Sequence, residues 1–199
     1  MKASATDPAE ISDAAVLLEL LQCIARTLRE GARLGAVERG LLHVHWQVLW
    51  YLRAANRYSN TVQTLAAYLG QTKGSVSQTV QLLERRRLLR RSKDKADLRV
   101  TRLVLTSKGK KLLGEIDAST TWPNAVKALT GPELAAANKA LTALLRNWQT
   151  IDSGHTFGVC RSCAFFRIET AGKFRCGVTF EPLNAFDSGQ ICKLHRLSG

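Results

Sequence analysis

Residues 65–105 have the sequence LAAYLGQTKGSVSQTVQLLERRRLLRRSKDKADLRVTRLVL. Apolar residues at helical spacing run to Gly70, and Thr72 is a suitable N-cap for a second amphipathic helix that continues to about Arg87. A charged turn then separates residues 90–92 from residues 100–105, which are rich in aliphatic and β-branched side chains and indicate a β-hairpin. Two short helices joined by a glycine turn and followed by a basic hairpin predict a winged helix-turn-helix.

Positive charge is concentrated in and around this segment. Residues 71–111 contain thirteen Lys or Arg and three acidic residues, whereas the whole chain carries a net charge of +13. A surface of this kind requires a polyanionic partner, and duplex DNA is the obvious one. The alternative is a solvated basic hairpin that never meets nucleic acid. The order of helix, turn, helix and hairpin argues against it.

The second helix has one apolar and one polar side. Val76, Val80 and Leu83 share the side expected to pack into the core. We predict that Gln78 contacts a base edge, because its amide matches adenine, and that Lys73 and Arg85 contact phosphates. The full set of predicted DNA contacts on this helix is Thr72, Lys73, Ser75, Ser77, Gln78, Gln81 and Arg85.

The tip of the hairpin is predicted to reach the neighbouring minor groove or its phosphates. Its candidate contacts are Lys93, Lys95, Asp97 and Arg99. Arg99 is the expected inserted side chain, because narrow minor grooves attract arginine. Asp97 is expected to orient it through a carboxylate–guanidinium pair.

Long helices are predicted on both sides of this unit, so the expected class is mainly α (α+β). The first begins at an Asp7 N-cap and ends near Gly31, with Cys23 as a small buried residue. The last long helix follows a capping box formed by Thr130 and Glu133 and is expected to end near Gly154. Its residues Leu134, Leu141 and Trp148 are expected to point inward. Trp122-Pro123 is expected to bend or stop the helix between them.

The stretch from Gly40 to Leu113 resembles the winged-helix domain of MarR-family transcriptional regulators. The motifs that carry the resemblance are GLL…WQVL at 40–49, LA…LG followed by KGSVS at 65–77, LLERRRLLRR at 82–91, DLR at 97–99 and LT…G at 105–109. Two residues depart from the family pattern: Gln78 stands where many members have a basic residue, and Arg87 replaces a common glycine.

The resemblance implies a homodimer that binds a pseudo-palindromic operator, usually as a repressor, with a small-molecule effector possible. It divides the chain into an N-terminal dimerisation helix at 1–34, a DNA-binding domain at 35–115 and C-terminal dimerisation helices at 116–154. A cysteine-rich module follows at 155–199.

Four cysteines occur within this last module. Cys160, Cys163, Cys176 and Cys192 form the pattern C-x2-C-x12-C-x15-C, and His195 follows as a possible substitute ligand. So small a segment has little hydrophobic core of its own and needs a bound metal or a disulfide to stabilise its fold. Zinc is the first candidate and an iron–sulfur cluster the second. A metal-free redox thiol set, with a disulfide between Cys160 and Cys163, is the third.

The expected function is a sequence-specific, non-enzymatic DNA-binding regulator whose affinity is tuned by the cysteine site through the separation of the two wings. The alternatives are a nucleic-acid-binding protein without sequence preference and a redox enzyme built on the cysteines. The longest apolar run, residues 14–24, contains Glu19 and Gln22 and is too short to span a membrane. No signal peptide is recognisable, so we expect a cytoplasmic protein with no membrane partner.

Overall fold

A computed structural model describes residues 12–95, 97–151, 157–170 and 172–197. The helices are α1 (Asp13–Val37), α2 (His43–Ala54), α3 (Val62–Leu69), α4 (Lys73–Arg85), α5 (Ser107–Ala118), α6 (Trp122–Lys127), α7 (Gly131–Ile151) and α8 (Ala185–Ser188). The strands are β1 (Leu89–Lys93), β2 (Thr101–Leu105), β3 (Gly158–Val159), β4 (Phe166–Thr170), β5 (Lys173–Cys176), β6 (Pro182–Leu183) and β7 (Ile191–Cys192). The predicted mainly α class with small sheets is confirmed.

The main core lies where α2, α4, α5 and the β1–β2 hairpin meet. Apolar side chains at helical spacing supply it, including Val48 and Leu49 of α2 and Leu113 of α5, all fully buried. Antiparallel pairing of Leu89 with Leu105 brings the hairpin base into the same core. Full burial of one such side chain is worth about 2 kcal/mol, so this cluster stabilises the unit that these helices and the hairpin form.

The short helices begin and end where the sequence predicts. Thr61 and Thr72 cap α3 and α4 by accepting a hydrogen bond from the backbone N–H three residues later. Gly70 ends α3 with a φ of +63°, the left-handed conformation that glycine adopts without strain. Arg87, by contrast, follows α4 with a φ of +59° in spite of its side chain. The turn that usually relies on glycine therefore keeps its shape here at a conformational cost.

Helix α1 is longer at its C-terminal end than predicted. It passes through Gly31 and continues to Val37, because its glycines serve close packing rather than termination. A Cβ atom on Gly35 would lie 2.7 Å from the Ser119 hydroxyl, so α1 and α5 are in backbone-close contact there. Ser12 is the N-cap of α1 in the part of the chain that the structure describes. The predicted N-cap, Asp7, lies outside the described residues.

The prediction that the apolar residues of α7 point inward is wrong within one chain. No residue of α7 is buried, and Trp148 is 61% exposed. Helix α1 is similar: it buries only Ala32, Gly35 and Ala36 and leaves Ile24 exposed. Cys23 is exposed as well, so the prediction that it is buried is wrong. Both helices thus carry an apolar stripe that the described part of the chain does not cover.

Trp122-Pro123 starts a helix rather than bending one. Helix α5 ends at Ala118, and α6 begins at Trp122 with proline in its first turn. Proline fits there because the first N–H groups of a helix have no internal partner. The predicted capping box before α7 is present: Thr130 N–H donates to the Glu133 carboxylate at 2.7 Å, and Glu133 N–H donates to the Thr130 hydroxyl at 3.4 Å.

The cysteine-rich module contains two small antiparallel sheets. Strand β3 pairs with β7, and β4, β5 and β6 form the second sheet in that order. Cys160, Leu183 and Cys192 are its buried hydrophobic residues, and the Phe166 and Phe174 rings pack beside them at a centroid distance of 5.0 Å from each other. Its apolar core is therefore very small. Across the part of the chain that is described, no helix is both long and apolar enough to cross a bilayer.

Candidate nucleic-acid interface

Helix α4 presents its predicted polar side to solvent. Val76, Val80 and Leu83 are fully buried, which confirms the predicted core side. The opposite side exposes Thr72, Lys73, Ser75, Gln78, Gln81 and Arg85, with Ser77 half-buried. The Thr72 hydroxyl binds the N–H of Ser75 at 3.2 Å and fixes the first turn. The other N–H groups of this turn give it a partial positive charge suited to a phosphate.

Glu84, the acidic residue of α4, is hydrogen-bonded to the hairpin. Glu84 accepts a hydrogen bond from the backbone N–H of Arg91 at 3.1 Å, and its second oxygen lies 3.5 Å from the Arg91 guanidinium. The carboxylate therefore ties the end of α4 to β1. Most of the exposed side of the helix keeps its positive and polar character.

The hairpin tip is held by two ion pairs. The predicted pair is present: the Arg99 guanidinium donates to both carboxylate oxygens of Asp97, at 2.9 and 3.0 Å. The Arg99 side chain stays 91% exposed, so it is oriented without being covered. The guanidinium also holds the pKa of Asp97 below its usual value. Arg102 donates to Asp94 at 2.8 Å and closes the base of the turn.

A positively charged cleft lies between α4, the hairpin and the cysteine module. Its volume is about 730 Å³. The cationic residues that line it are Lys73, Arg91, Arg99, Arg102 and Lys193. Four of these come from the predicted DNA-binding unit, but Lys193 comes from the C-terminal module and was not predicted. In the sequence, Lys193 is distinguished only by its position directly after Cys192. That position does not indicate that Lys193 lies beside α4.

The four predicted metal-ligand cysteines line a single cavity. Cys160, Cys163, Cys176 and Cys192 face a space of about 10 Å³, which admits about one water-sized particle. The remaining walls are apolar: Phe165, Phe166, Val178, Leu183 and Leu194. As placed, no three His, Cys, Asp or Glu side chains of the described residues stand close enough together to hold a metal ion. The structure thus gathers the cysteines without arranging them as a finished coordination shell.

Several N–H groups donate to these sulfurs. The backbone N–H of Leu194 lies 3.3 Å from Cys192 Sγ, that of Arg196 3.4 Å from Cys163 Sγ, and the Asn56 amide 3.6 Å from Cys160 Sγ. The Cys160 thiol also donates to Cys192, which lowers the pKa of Cys192 to about 6 and raises that of Cys160. The surroundings therefore favour negative charge on the Cys192 sulfur and disfavour it on that of Cys160.

His195 supports the cysteine turn and does not line the cavity. His195 is 1% exposed. Its Nε2 lies 3.0 Å from the hydroxyl of Ser162, which lies between Cys160 and Cys163 in the sequence. A Cβ atom on Gly158 would lie 2.7 Å from the imidazole, so β3 passes directly over the ring. Burial lowers the pKa of His195. Its position indicates a packing role, and the predicted role as a substitute ligand finds no support in the cavity lining.

The module is fastened to the loop between α2 and α3. Asn56 N–H donates to the Ile191 carbonyl at 2.9 Å, and Lys193 N–H donates to the Ser59 hydroxyl at 2.8 Å. Ser59 in turn donates to Asn56 Oδ1 at 2.7 Å. Asn56 and Ser59 are 2% and 0% exposed. The same loop reaches the hairpin, since Leu103 N–H donates to the Asn60 carbonyl at 2.7 Å.

Comparison with known proteins shows what this arrangement resembles. A profile described as the MarR family matches residues 39–99. Among solved structures, a MepR mutant from S. aureus is 25% identical with a TM-score of 0.50, over 66% of this chain and 97% of its own. A MarR family protein from Bacillus stearothermophilus is 21% identical with a TM-score of 0.57, over 68% and 95%. No curated protein matches the chain at a significant level.

A further solved structure is that of the S. aureus MepR–DNA complex. It is 23% identical with a TM-score of 0.53, over 71% of this chain and 99% of that one. Because these structures account for about two thirds of this chain and nearly all of their own, they offer no counterpart for the remaining third. Members of the matched family are transcription regulators rather than enzymes. Residues 39–99 of this chain therefore match the MarR family profile, and they fold as a winged helix-turn-helix like that of these solved structures.

Proposed function

We propose that this regulator is a sequence-specific repressor that binds a pseudo-palindromic operator as a homodimer. The observation that carries the proposal is the exposed polar side of α4 next to a cleft with five cationic side chains. A polar helix face with this positive flank has the chemistry for insertion into a major groove. Such a repressor works in the cytoplasm, where it meets the chromosome.

Two classes of contact follow from the exposed groups. Gln78 is exposed in the second turn of α4, and its amide suits the paired donor and acceptor of adenine. Lys73 and Arg85 lie at the two ends of the same helix and suit phosphates on either side of the groove. Lys93, Lys95 and Arg99 add contacts from the hairpin. Base contacts would set the sequence, whereas the phosphate contacts would set orientation and most of the affinity.

The uncovered stripes on α1 and α7 support a homodimer. Their large exposed apolar residues include Leu17, Leu20, Ile24, Leu28, Leu134, Leu141, Leu145 and Trp148. Monomeric proteins seldom expose so long an apolar surface, and burial against a second copy would remove it from water. A two-fold dimer would also present two α4 helices to two operator half-sites.

The cysteine module and a cleft beside α1 are the two places where a signal would act. The module touches the loop that precedes α3, so its state would tune DNA affinity. A second cleft of about 500 Å³ lies between α1 and the end of α5, next to the apolar stripe of α1. It is the place we assign to a small-molecule effector.

The test is selection of duplexes from a random-sequence library, followed by anisotropy titration of the winning duplex and a scrambled duplex of equal composition. We expect the winner to contain an inverted repeat and to bind at least a hundredfold more tightly at physiological salt. Equal affinity for both duplexes, with a steep salt dependence, would instead identify a nucleic-acid-binding protein without sequence preference.

A further inference from the structure

The module has a buried site at one side and a cation in the DNA-facing cleft at the other. Cys192 lines the cysteine cavity, and the next residue, Lys193, lines the positively charged cleft between α4 and the hairpin. One peptide bond separates the two surfaces. A change that moves Cys192 must also move Lys193.

A buried hydrogen-bond network joins the cavity to the loop of residues 55–60. The Asn56 amide donates to Cys160 Sγ, its carbonyl oxygen accepts from the Ser59 hydroxyl, and Ser59 accepts from the backbone N–H of Lys193. Since Asn56 and Ser59 are buried, breaking one of these bonds leaves a polar group without water to replace its partner. The network therefore holds the cavity, the loop and Lys193 in one arrangement.

The loop transmits that arrangement to both DNA-binding elements. Its Asn60 carbonyl binds the N–H of Leu103 in β2, and the following Thr61 caps α3, which packs against α4. The Tyr51 hydroxyl donates to the Ser59 carbonyl at 2.8 Å and anchors the loop to the core. Displacement of residues 56–59 would thus disturb the hairpin and the turn before α4 together.

The cavity has the chemistry of a thiolate metal site. Four cysteines line an apolar space that is too small for an organic ligand, and N–H groups donate to three of their sulfurs. Amide hydrogen bonds to sulfur stabilise metal-bound thiolates and tune iron–sulfur centres. Metal binding there would require the four cysteine side chains to turn towards a common centre, and it would release the thiol protons to solvent.

From these contacts we infer that the four cysteines bind a thiophilic metal centre, zinc or an iron–sulfur cluster, whose loss weakens operator binding by releasing Lys193 and the loop of residues 55–60. The inference rests on the proposed function for its DNA readout, but its metal readout stands alone. The expectation from the sequence is that the cysteine site changes the separation of the two wings in a dimer. The coupling inferred here differs because it runs within one subunit.

The first arm measures metal in anaerobically purified full-length protein by elemental analysis, acid-labile sulfide and ultraviolet-visible absorption. We expect either zinc without colour or iron with sulfide and a broad brown absorbance, near one centre per chain; the two results identify the occupant. Cys163→Ser and Cys176→Ser should lose the centre, and Cys23→Ser, an exposed cysteine of α1, should keep it. Protein with neither metal, or variants that retain it, would overturn the inference.

The second arm measures affinity for the duplex selected under the proposed function. Removal of the metal should weaken binding about tenfold while the dimer mass and helical circular dichroism stay unchanged. Ser59→Ala should keep the metal but bind the duplex more weakly than the wild type by a similar factor. Removal of the metal should then change the affinity of this variant only a little. Lys193→Ala should keep the metal and reduce the salt dependence of binding by about one released counterion.

The outcomes separate the two proposals. A wild-type protein that binds the selected duplex with equal affinity before and after metal removal would overturn the coupling and leave the repressor intact. A wild-type protein that holds metal but does not discriminate the selected duplex from the scrambled one would overturn the repressor and leave the metal centre standing. If Cys163→Ser and Cys176→Ser fail to fold, the response of Ser59→Ala to metal removal still tests the coupling.

Discussion

The backbone N–H of Lys193 donates to the side-chain oxygen of Ser59 at 2.8 Å, across 134 positions of sequence. This bond fastens the C-terminal module to the loop that precedes the helix-turn-helix. The two residues also lie on different surfaces: Ser59 is fully buried, whereas the Lys193 side chain lines the basic cleft. A small module is thereby placed beside the DNA-binding surface rather than beyond the long final helix.

Gly109 is predicted to be intolerant of any side chain. A Cβ atom there would lie 2.0 Å from the Leu88 carbonyl oxygen, where α5 packs on the start of the hairpin. Gly109→Ala should lower the free energy of unfolding by about 2 kcal/mol or more. Gly114→Ala in the same helix is the matched control, since its Cβ would meet nothing within 4 Å. It should raise stability by about 0.5–1 kcal/mol, as measured by urea denaturation. Equal effects of the two changes would contradict the close approach.

Arg87 is predicted to be a strained position. Its φ of +59° favours glycine, so Arg87→Gly should raise the free energy of unfolding by up to about 1 kcal/mol. Gln81→Gly, inside α4, should lower it by about 1 kcal/mol because glycine weakens a helix interior. Thermal unfolding of both variants checks the pair. A destabilised Arg87→Gly protein would show that the turn does not store conformational strain.

Arg99 is predicted to act as an oriented cation at the hairpin tip. Arg99→Ala should weaken binding to the selected duplex and reduce the slope of log affinity against log salt by about one. Arg99→Lys keeps the charge but loses the two-pronged bond to Asp97, so it should keep the slope and recover only part of the affinity. Anisotropy titrations over a range of salt concentrations measure both. An unchanged slope in Arg99→Ala would remove the tip from the interface.

The apolar stripe of α1 is predicted to be a dimer surface. Ile24→Glu should convert the protein to monomers and reduce operator binding, because a charge would be buried in the contact between copies. Leu98→Glu, an exposed apolar residue on the hairpin, should leave the dimer mass unchanged. Light scattering coupled to gel filtration gives the masses. A dimeric Ile24→Glu protein would place the contact elsewhere.

The sequence predicted the helix-turn-helix, the hairpin and the α7 capping box because local chemistry determines them. A hydroxyl at Thr72, a glycine at Gly70 and the aliphatic and β-branched residues that end at Leu105 are compatible with few other local structures. The cysteines also came together as expected, since spacing alone identified them. The described residues do not form the coordination shell that the spacing predicted.

Features that depend on distant contacts could not be predicted. The extension of α1 past Gly31 depends on how closely Gly35 approaches Ser119, and no local pattern encodes that. The exposure of the α7 side chains is another example: periodicity identifies an apolar face but not the molecule that covers it. The position of Lys193 depends on where the whole module docks.

The central claim is that α4 reads operator sequence through Gln78. The most direct measurement is the ratio of affinities for the selected duplex and for the same duplex with adenine replaced at the contacted position, in wild type and Gln78→Ala. We predict that the wild type discriminates by about 1–3 kcal/mol and that Gln78→Ala loses this discrimination while keeping its affinity for scrambled DNA. Full discrimination in Gln78→Ala at every position of the operator would contradict the account.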